Sequence, residues 1–200
     1  MINNFLNSEP EWQLSGTFSK NQPNANIDSW LSEPGSLTRR LKQTFSGDFS
    51  VSVQAQGLCR PFSQDASQLG LGQNQETFIR EVFLSVSGQT LVFARTTVPD
   101  YSLNTLDSLT KLGNKPLGEV IFGYPDLERL YLHIAKVARD CLSADMAQML
   151  GEEHYLWARR NTYKIAGQVF LVSEFFLPVM FEDNYSIAPS PDQPAIALAR

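Results

Sequence analysis

The pattern of apolar and polar positions gives its clearest hairpin in two neighbouring stretches, FIREVFLSV (78–86) and TLVFARTTV (90–98). A period of two marks a β-strand with two chemically distinct faces. The short break at Ser87-Gly88 predicts that the two stretches form a hairpin. In the simplest register Val82 opposes Phe93, Leu84 opposes Leu91 and Arg80 opposes Arg95, whereas a one-residue bulge would undo that pairing. A second hairpin is predicted for WARRNTYKI and VFLVSEFFLP, around Ala166-Gly167, and FSVSVQAQG (49–57) reads as a half-buried strand.

Helical signals fall between these strands. Asp28 is placed to cap a short helix through Trp30 and Leu31, broken at Pro34-Gly35, and Ser36 to cap LTRRLKQTF. SLNTLDSLTKLG (102–113) predicts a short helix stopped at Gly113, and Pro116 starts another turn. Asp126 precedes LERLYLHIAKVARDCL, which reads as a long amphipathic helix, followed by a second helical piece through Met149 and a stop at Gly151. Residues 58–75 read as a loop. Hairpins with clustered helices predict an α+β fold, a single antiparallel sheet with helices over one face or end. Residues 1–25 are expected as a flexible N-terminal tail with a turn near Trp12, 26–180 as the folded domain, and 181–200 as a proline-rich C-terminal tail.

Composition narrows the function. The chain has 200 residues, enough for one well-packed domain, with 42% hydrophobic residues and 13 Phe for its core. A net charge of −5 and a pI of about 5.0 argue against a general nucleic-acid surface. Cys59 and Cys141 are too few for a disulfide framework, and His133 and His154 have no ligand partners at metal-binding spacing, so no metal is expected. There is no signal-peptide pattern at the N-terminus and no apolar run near the ~18 residues of a membrane span, which predicts a cytoplasmic protein. The GLG at 70–72 lacks the third glycine and preceding strand of a dinucleotide fingerprint.

Neither a GxSxG elbow nor a Walker loop is present. What remains is Glu174, alone in the apolar run LVSEFFLP, together with Arg80 and Arg95. An unpaired buried carboxylate is costly, so Glu174 either meets an arginine across the sheet, points to solvent, or contacts a ligand from the wall of an apolar pocket. Each arginine, likewise, either pairs with an acid such as Glu81 or Glu174 or awaits an anion. Arginine grips carboxylates with two parallel hydrogen bonds, so the implied ligand is a small organic anion with an apolar or ring-like body.

FIREVFLSVSGQTLVFARTTVP, KLGNKPLG and LWARRNTYKIAGQVFLVSEFFLP resemble, in order, the signature blocks of the chorismate pyruvate-lyases (chorismate lyase, 4-hydroxybenzoate synthase), over roughly residues 28–180. The resemblance implies about six antiparallel strands, helices around a buried pocket, and two flaps. It implies cleavage of chorismate to 4-hydroxybenzoate and pyruvate with no cofactor. Arg80 would bind the ring carboxylate, Glu174 would face the ring hydroxyl, and Arg95 would help hold the enolpyruvyl carboxylate. Leu37 and Leu117 match flap positions that offer backbone N–H groups to the ligand; the family commonly has Met at the first. Ubiquinone, plastoquinone or other products of 4-hydroxybenzoate all fit downstream. The segment from about Lys136 to Glu153 is longer than the family's usual connection, and both tails are extensions. The oligomeric state stays open, with a monomer favoured. The alternative is a non-catalytic protein of the same fold, a small-aromatic-acid sensor or 4-hydroxybenzoate carrier; no helix-turn-helix appears in the first 75 residues.

Overall fold

The two hairpins form the middle of one antiparallel sheet. In the computed structural model, which describes residues 5–17, 23–72 and 74–182, strands β1 (Gln13–Leu14), β2 (Phe49–Cys59), β3 (Thr77–Val86), β4 (Gln89–Pro99), β5 (Glu128–Ala138), β6 (Tyr155–Ile165) and β7 (Gln168–Phe176) lie in the order β1-β5-β6-β7-β4-β3-β2. Every neighbouring pair is antiparallel. Both hairpin turns have two residues at positive φ, Ser87 (49°) with Gly88 (80°) and Ala166 (49°) with Gly167 (78°). This handedness follows the twist of the strands, and glycine occupies the second position without steric cost.

Helices cover both faces. On one, α1 (Ala25–Leu31), α2 (Leu37–Thr44), α4 (Asp107–Thr110) and α5 (Leu117–Ile121) bury Leu31, Leu41, Leu109 and Ile121 against Val82, Leu84, Val172 and Phe176. On the other, α6 (Ala144–Met149) and the N-terminal segment bury Met146, Phe5 and Leu6 against Phe93, Ala158 and Phe175. Cover on both faces explains why β7 is nearly continuously apolar instead of alternating.

Several expectations are corrected. LERLYLHIAKVA is strand β5, not a helix: its apolar residues fit either period, and hydrogen bonding along β6 decides for the strand. Asp126 caps no helix; its carboxylate accepts from the Ala166 N–H at 2.7 Å and braces the β6–β7 turn. Asn24, not Asp28, caps α1 by accepting from the Ile27 N–H at 2.9 Å. Within the expected loop 58–75, Ser63–Leu69 forms helix α3, closed at Gly70 in the left-handed conformation (φ 67°). Of the expected N-terminal tail, residues 5–17 are part of the fold: Phe5 and Leu6 are buried, Leu6 bridges Leu142, and β1 extends the sheet. The C-terminal tail beyond Glu182 lies outside the described residues.

The β3–β4 register is the correction with most consequence. Near the turn the predicted register holds, with Val86 opposite Gln89 and Ser85 opposite Thr90. Leu84 then faces Val92, so Leu91 is the extra residue of a bulge. Beyond it Glu81 faces Arg95 and Arg80 faces Thr96. The two arginines therefore project from opposite faces of the sheet.

Candidate active site

Alternation along the central strands collects one set of side chains on the face beneath α2 and α5. β3 contributes Arg80, Val82 and Leu84, β4 Ala94 and Thr96, β6 Arg159 and Tyr163, and β7 Val172 and Glu174. Leu37 and Leu117, the first residues of α2 and α5, close the other side. The cavity between them has mostly apolar walls, the character of a small-organic-ligand site, but its volume is only about 40 Å³, so a ring-sized ligand enters only if the covering elements part. Arg80, Glu174, Leu37 and Leu117 are thus brought together. Arg95 is not.

Arg80 has no compensating charge. Its side chain is 2% exposed, and among the described residues it pairs with no carboxylate. Nη2 donates to the carbonyl oxygens of Gly113 (2.8 Å) and Lys115 (3.1 Å), which fixes the guanidinium beside the flap that carries Leu117. Nε has no acceptor. Burial pulls its pKa below the usual arginine value. A buried cation without a partner costs several kcal/mol, and an anion in the cavity would offset that cost.

Glu174 makes the cross-sheet arginine pair that was one of the roles weighed for it. It faces Arg159 across β6–β7, and Arg159 Nε donates to its Oε2 at 2.5 Å; Asn161 Nδ2 donates to the same oxygen at 3.3 Å. It also stands on the cavity wall. Arg159 Nη1 donates to the carbonyls of Trp30 (3.0 Å), Leu31 (3.5 Å) and Glu33 (3.0 Å), so the cation that orients Glu174 also ties down the end of α1. Tyr163, on the same wall, has its pKa pushed up to about 12 by burial and by the Glu174 charge. Its hydroxyl therefore remains a neutral donor.

Sequence reasoning passed over Arg159 and Tyr163. The signal was present in WARRNTYKI: consecutive arginines on a strand face opposite ways, so one of them had to share the face of Glu174. The backbone N–H groups of Leu37 and Leu117 occupy first-turn positions that have no intrahelical acceptor. The flaps meet closely, since a Cβ on Gly118 would lie 2.6 Å from Ser36 Oγ.

On the far face Arg95 pairs with Glu81, and Arg160 Nη1 donates to Asp65 Oδ1 at 2.9 Å. Phe62 and Trp12 each lie 4.9 Å from the guanidinium carbons of Arg95 and Arg160, respectively. Burial raises Glu81 to about 6, although Arg95 opposes the shift. These residues hold α3 and the N-terminal segment on the sheet.

The profile of the chorismate lyase family matches residues 6–185. The chain belongs to that family. By that membership it is a carbon–oxygen lyase. A protein of Methylococcus capsulatus named "Probable chorismate pyruvate-lyase" is 37% identical over 155 residues, 77% of this chain and 96% of the relative. One of the same name from Thiobacillus denitrificans is 35% identical, over 77% of this chain and 83% of its own. Among solved structures, the C-terminal domain of PhnF superposes with a TM-score of 0.52 at 16% identity, covering 73% of the lyase chain and 90% of its own. A GntR-family transcriptional regulator from Bacillus cereus gives 0.51 at 12% identity, over 71% of the lyase chain and 100% of its own. At such identities these neighbours share the fold alone. Among the described residues of the lyase, no helix is long and apolar enough to cross a membrane.

Proposed function

We propose that this lyase splits chorismate into 4-hydroxybenzoate and pyruvate within the α2–α5 cavity. The observation that carries the proposal is Arg80, a buried guanidinium on the wall of an apolar cavity with no carboxylate among the described residues to balance it. A ligand carboxylate supplies the missing charge in two-pronged geometry. The names of the relatives agree with this reading.

In this reading Arg80 takes the ring carboxylate, and Glu174, oriented by Arg159 and Asn161, faces the ring hydroxyl. The N–H groups of Leu37 and Leu117 point to a ligand carboxylate from the flaps. Arg159 takes over the part first assigned to Arg95, positive charge beside the enolpyruvyl group. The reaction removes hydrogen from the carbon bearing the hydroxyl and breaks the ether C–O bond; the departing enolpyruvate gains hydrogen and becomes pyruvate. Atoms balance with no co-reactant, and aromatisation of the ring supplies the driving force. The protein's contribution is to hold the reactive conformer, stabilise charge on the leaving group and exclude water.

Incubation of the purified chain with chorismate tests the proposal. Equal amounts of pyruvate and 4-hydroxybenzoate, formed faster than spontaneous breakdown, are expected. Binding of 4-hydroxybenzoate without turnover would instead favour a ligand-binding protein built on the family scaffold.

A further inference from the structure

A second depression lies on the outer side of the flap seam. It shares Gly118 and Phe122 with the inner cavity, so the two spaces are separated by little more than the contact between Gly118 and Ser36. Its rim carries the exposed Arg39 and Lys42 of α2 and Glu119 of α5. Lys42 Nζ donates to Glu119 Oε1 at 2.6 Å, an ion pair that spans the seam. No other ion pair among the described residues joins α2 to α5.

We propose that Lys42–Glu119 is the latch of this seam and that Lys42 and Arg39 form a carboxylate-capturing vestibule for the ligand of the inner cavity. The proposal rests on the chorismate lyase reading. A ligand in the closed cavity leaves only after neighbouring elements part, and the α2–α5 seam is where the cavity and the outer depression share wall residues. When the seam parts, Lys42 loses Glu119 and becomes a free cation beside Arg39, just outside the cavity that holds Arg80. An incoming organic anion meets this pair of cations first, passes to Arg80, and the latch re-forms behind it. Closed, Glu119 neutralises Lys42 and removes a competing anion site. The two side chains are 45% and 52% exposed, so water and salt weaken the latch and keep it easy to open.

The two functions of Lys42 separate by substitution. Stopped-flow binding of 4-hydroxybenzoate to the full chain yields association and dissociation rates for wild type, Lys42→Gln and Glu119→Gln. Both variants lack the latch and are expected to release ligand about two- to fivefold faster, the range that an exposed ion pair supports. Their association rates should diverge. Glu119→Gln leaves Lys42 free and should bind at least as fast as wild type, while Lys42→Gln should bind more slowly and depend less on ionic strength. Tight wild-type binding with unchanged dissociation in both variants overturns the latch. Equal association rates in the two variants overturn the vestibule. A wild-type chain that binds no 4-hydroxybenzoate overturns the lyase reading itself, and the proposal with it.

Discussion

Arg159 stands directly opposite Glu174 in the β6–β7 register, and its Nε donates to Oε2 at 2.5 Å while both side chains line the α2–α5 cavity. The carboxylate is therefore part of the folded frame as well as part of the site. Glu174→Ala leaves Arg159 with backbone carbonyls only, and it should lower the unfolding free energy by about 3 kcal/mol as well as abolish turnover. Glu174→Gln retains an acceptor for Arg159 and should lose far less stability while still losing most of its turnover. Urea unfolding beside chorismate turnover separates the two effects. A Gln variant with normal turnover would remove Glu174 from the chemistry.

Arg95 should behave in the opposite way to a ligand-binding residue. It pairs with the buried Glu81 on the far face, so Arg95→Met strands that carboxylate and should cost about 3–5 kcal/mol in stability. Adding Glu81→Leu should restore much of the loss, because a well-packed apolar pair replaces an ionic one. The KM for chorismate of the double variant should stay close to wild type. A large rise in KM, with the fold intact, would return Arg95 to the site.

The same pair carries a pH dependence of defined sign. Glu81 has a folded pKa of about 6 against an ordinary value of 4.5, so between these values the folded chain holds more proton than the unfolded chain. Stability should therefore fall as pH rises through this range, by about 1.5 kcal/mol between pH 4.5 and 7, most of the roughly 2 kcal/mol that the whole shift is worth. Unfolding free energies of wild type and Glu81→Gln, measured from pH 4.5 to 7, should diverge by that amount across this window. A wild type that gains stability relative to the variant as pH rises would contradict the assigned direction.

Gly118 tests how tightly the flaps must close. A Cβ there meets Ser36 Oγ at 2.6 Å but Ser36 Cβ at 3.6 Å, an ordinary contact. Gly118→Ala should weaken 4-hydroxybenzoate binding about tenfold, within the range of overpacking effects. Ser36→Ala in the same chain should recover most of the affinity and lose about 1 kcal/mol of stability with the α2 cap. Calorimetric titration of the single and double variants checks both; no recovery would mean that the contact is not the limiting one.

Much of the sheet was legible because local rules sufficed. Two glycine-containing turns between apolar runs located both central hairpins, and the blocks around Arg80, Leu117 and Glu174 pointed to residues that converge on one cavity. What escaped was set by events remote in sequence. One extra residue, Leu91, moved Arg95 to the other face, and no periodicity within β3 or β4 announces a bulge there. LERLYLHIAKVA has apolar residues compatible with a helix, and only the open edge of β6 makes it a strand. Phe5 and Leu6 sit in a polar stretch that resembles a tail, yet the apolar face left by Phe93 and Phe175 buries them. Arg159 is not singled out by its own stretch, because only the register of β6 against β7 tells which of Arg159 and Arg160 shares the face of Glu174.

Arg80 is proposed as the counter-charge for the substrate's carboxylate. Arg80→Met tests it most directly, through kcat/KM for chorismate and the melting temperature of the ligand-free chain. Removing a buried cation that has no acidic partner should leave the melting temperature unchanged or raise it. Loss of its bond to a buried carboxylate should lower kcat/KM by two or more orders of magnitude, the equivalent of about 3–5 kcal/mol. A variant with wild-type kcat/KM, or one whose fold collapses with its activity, would contradict the account.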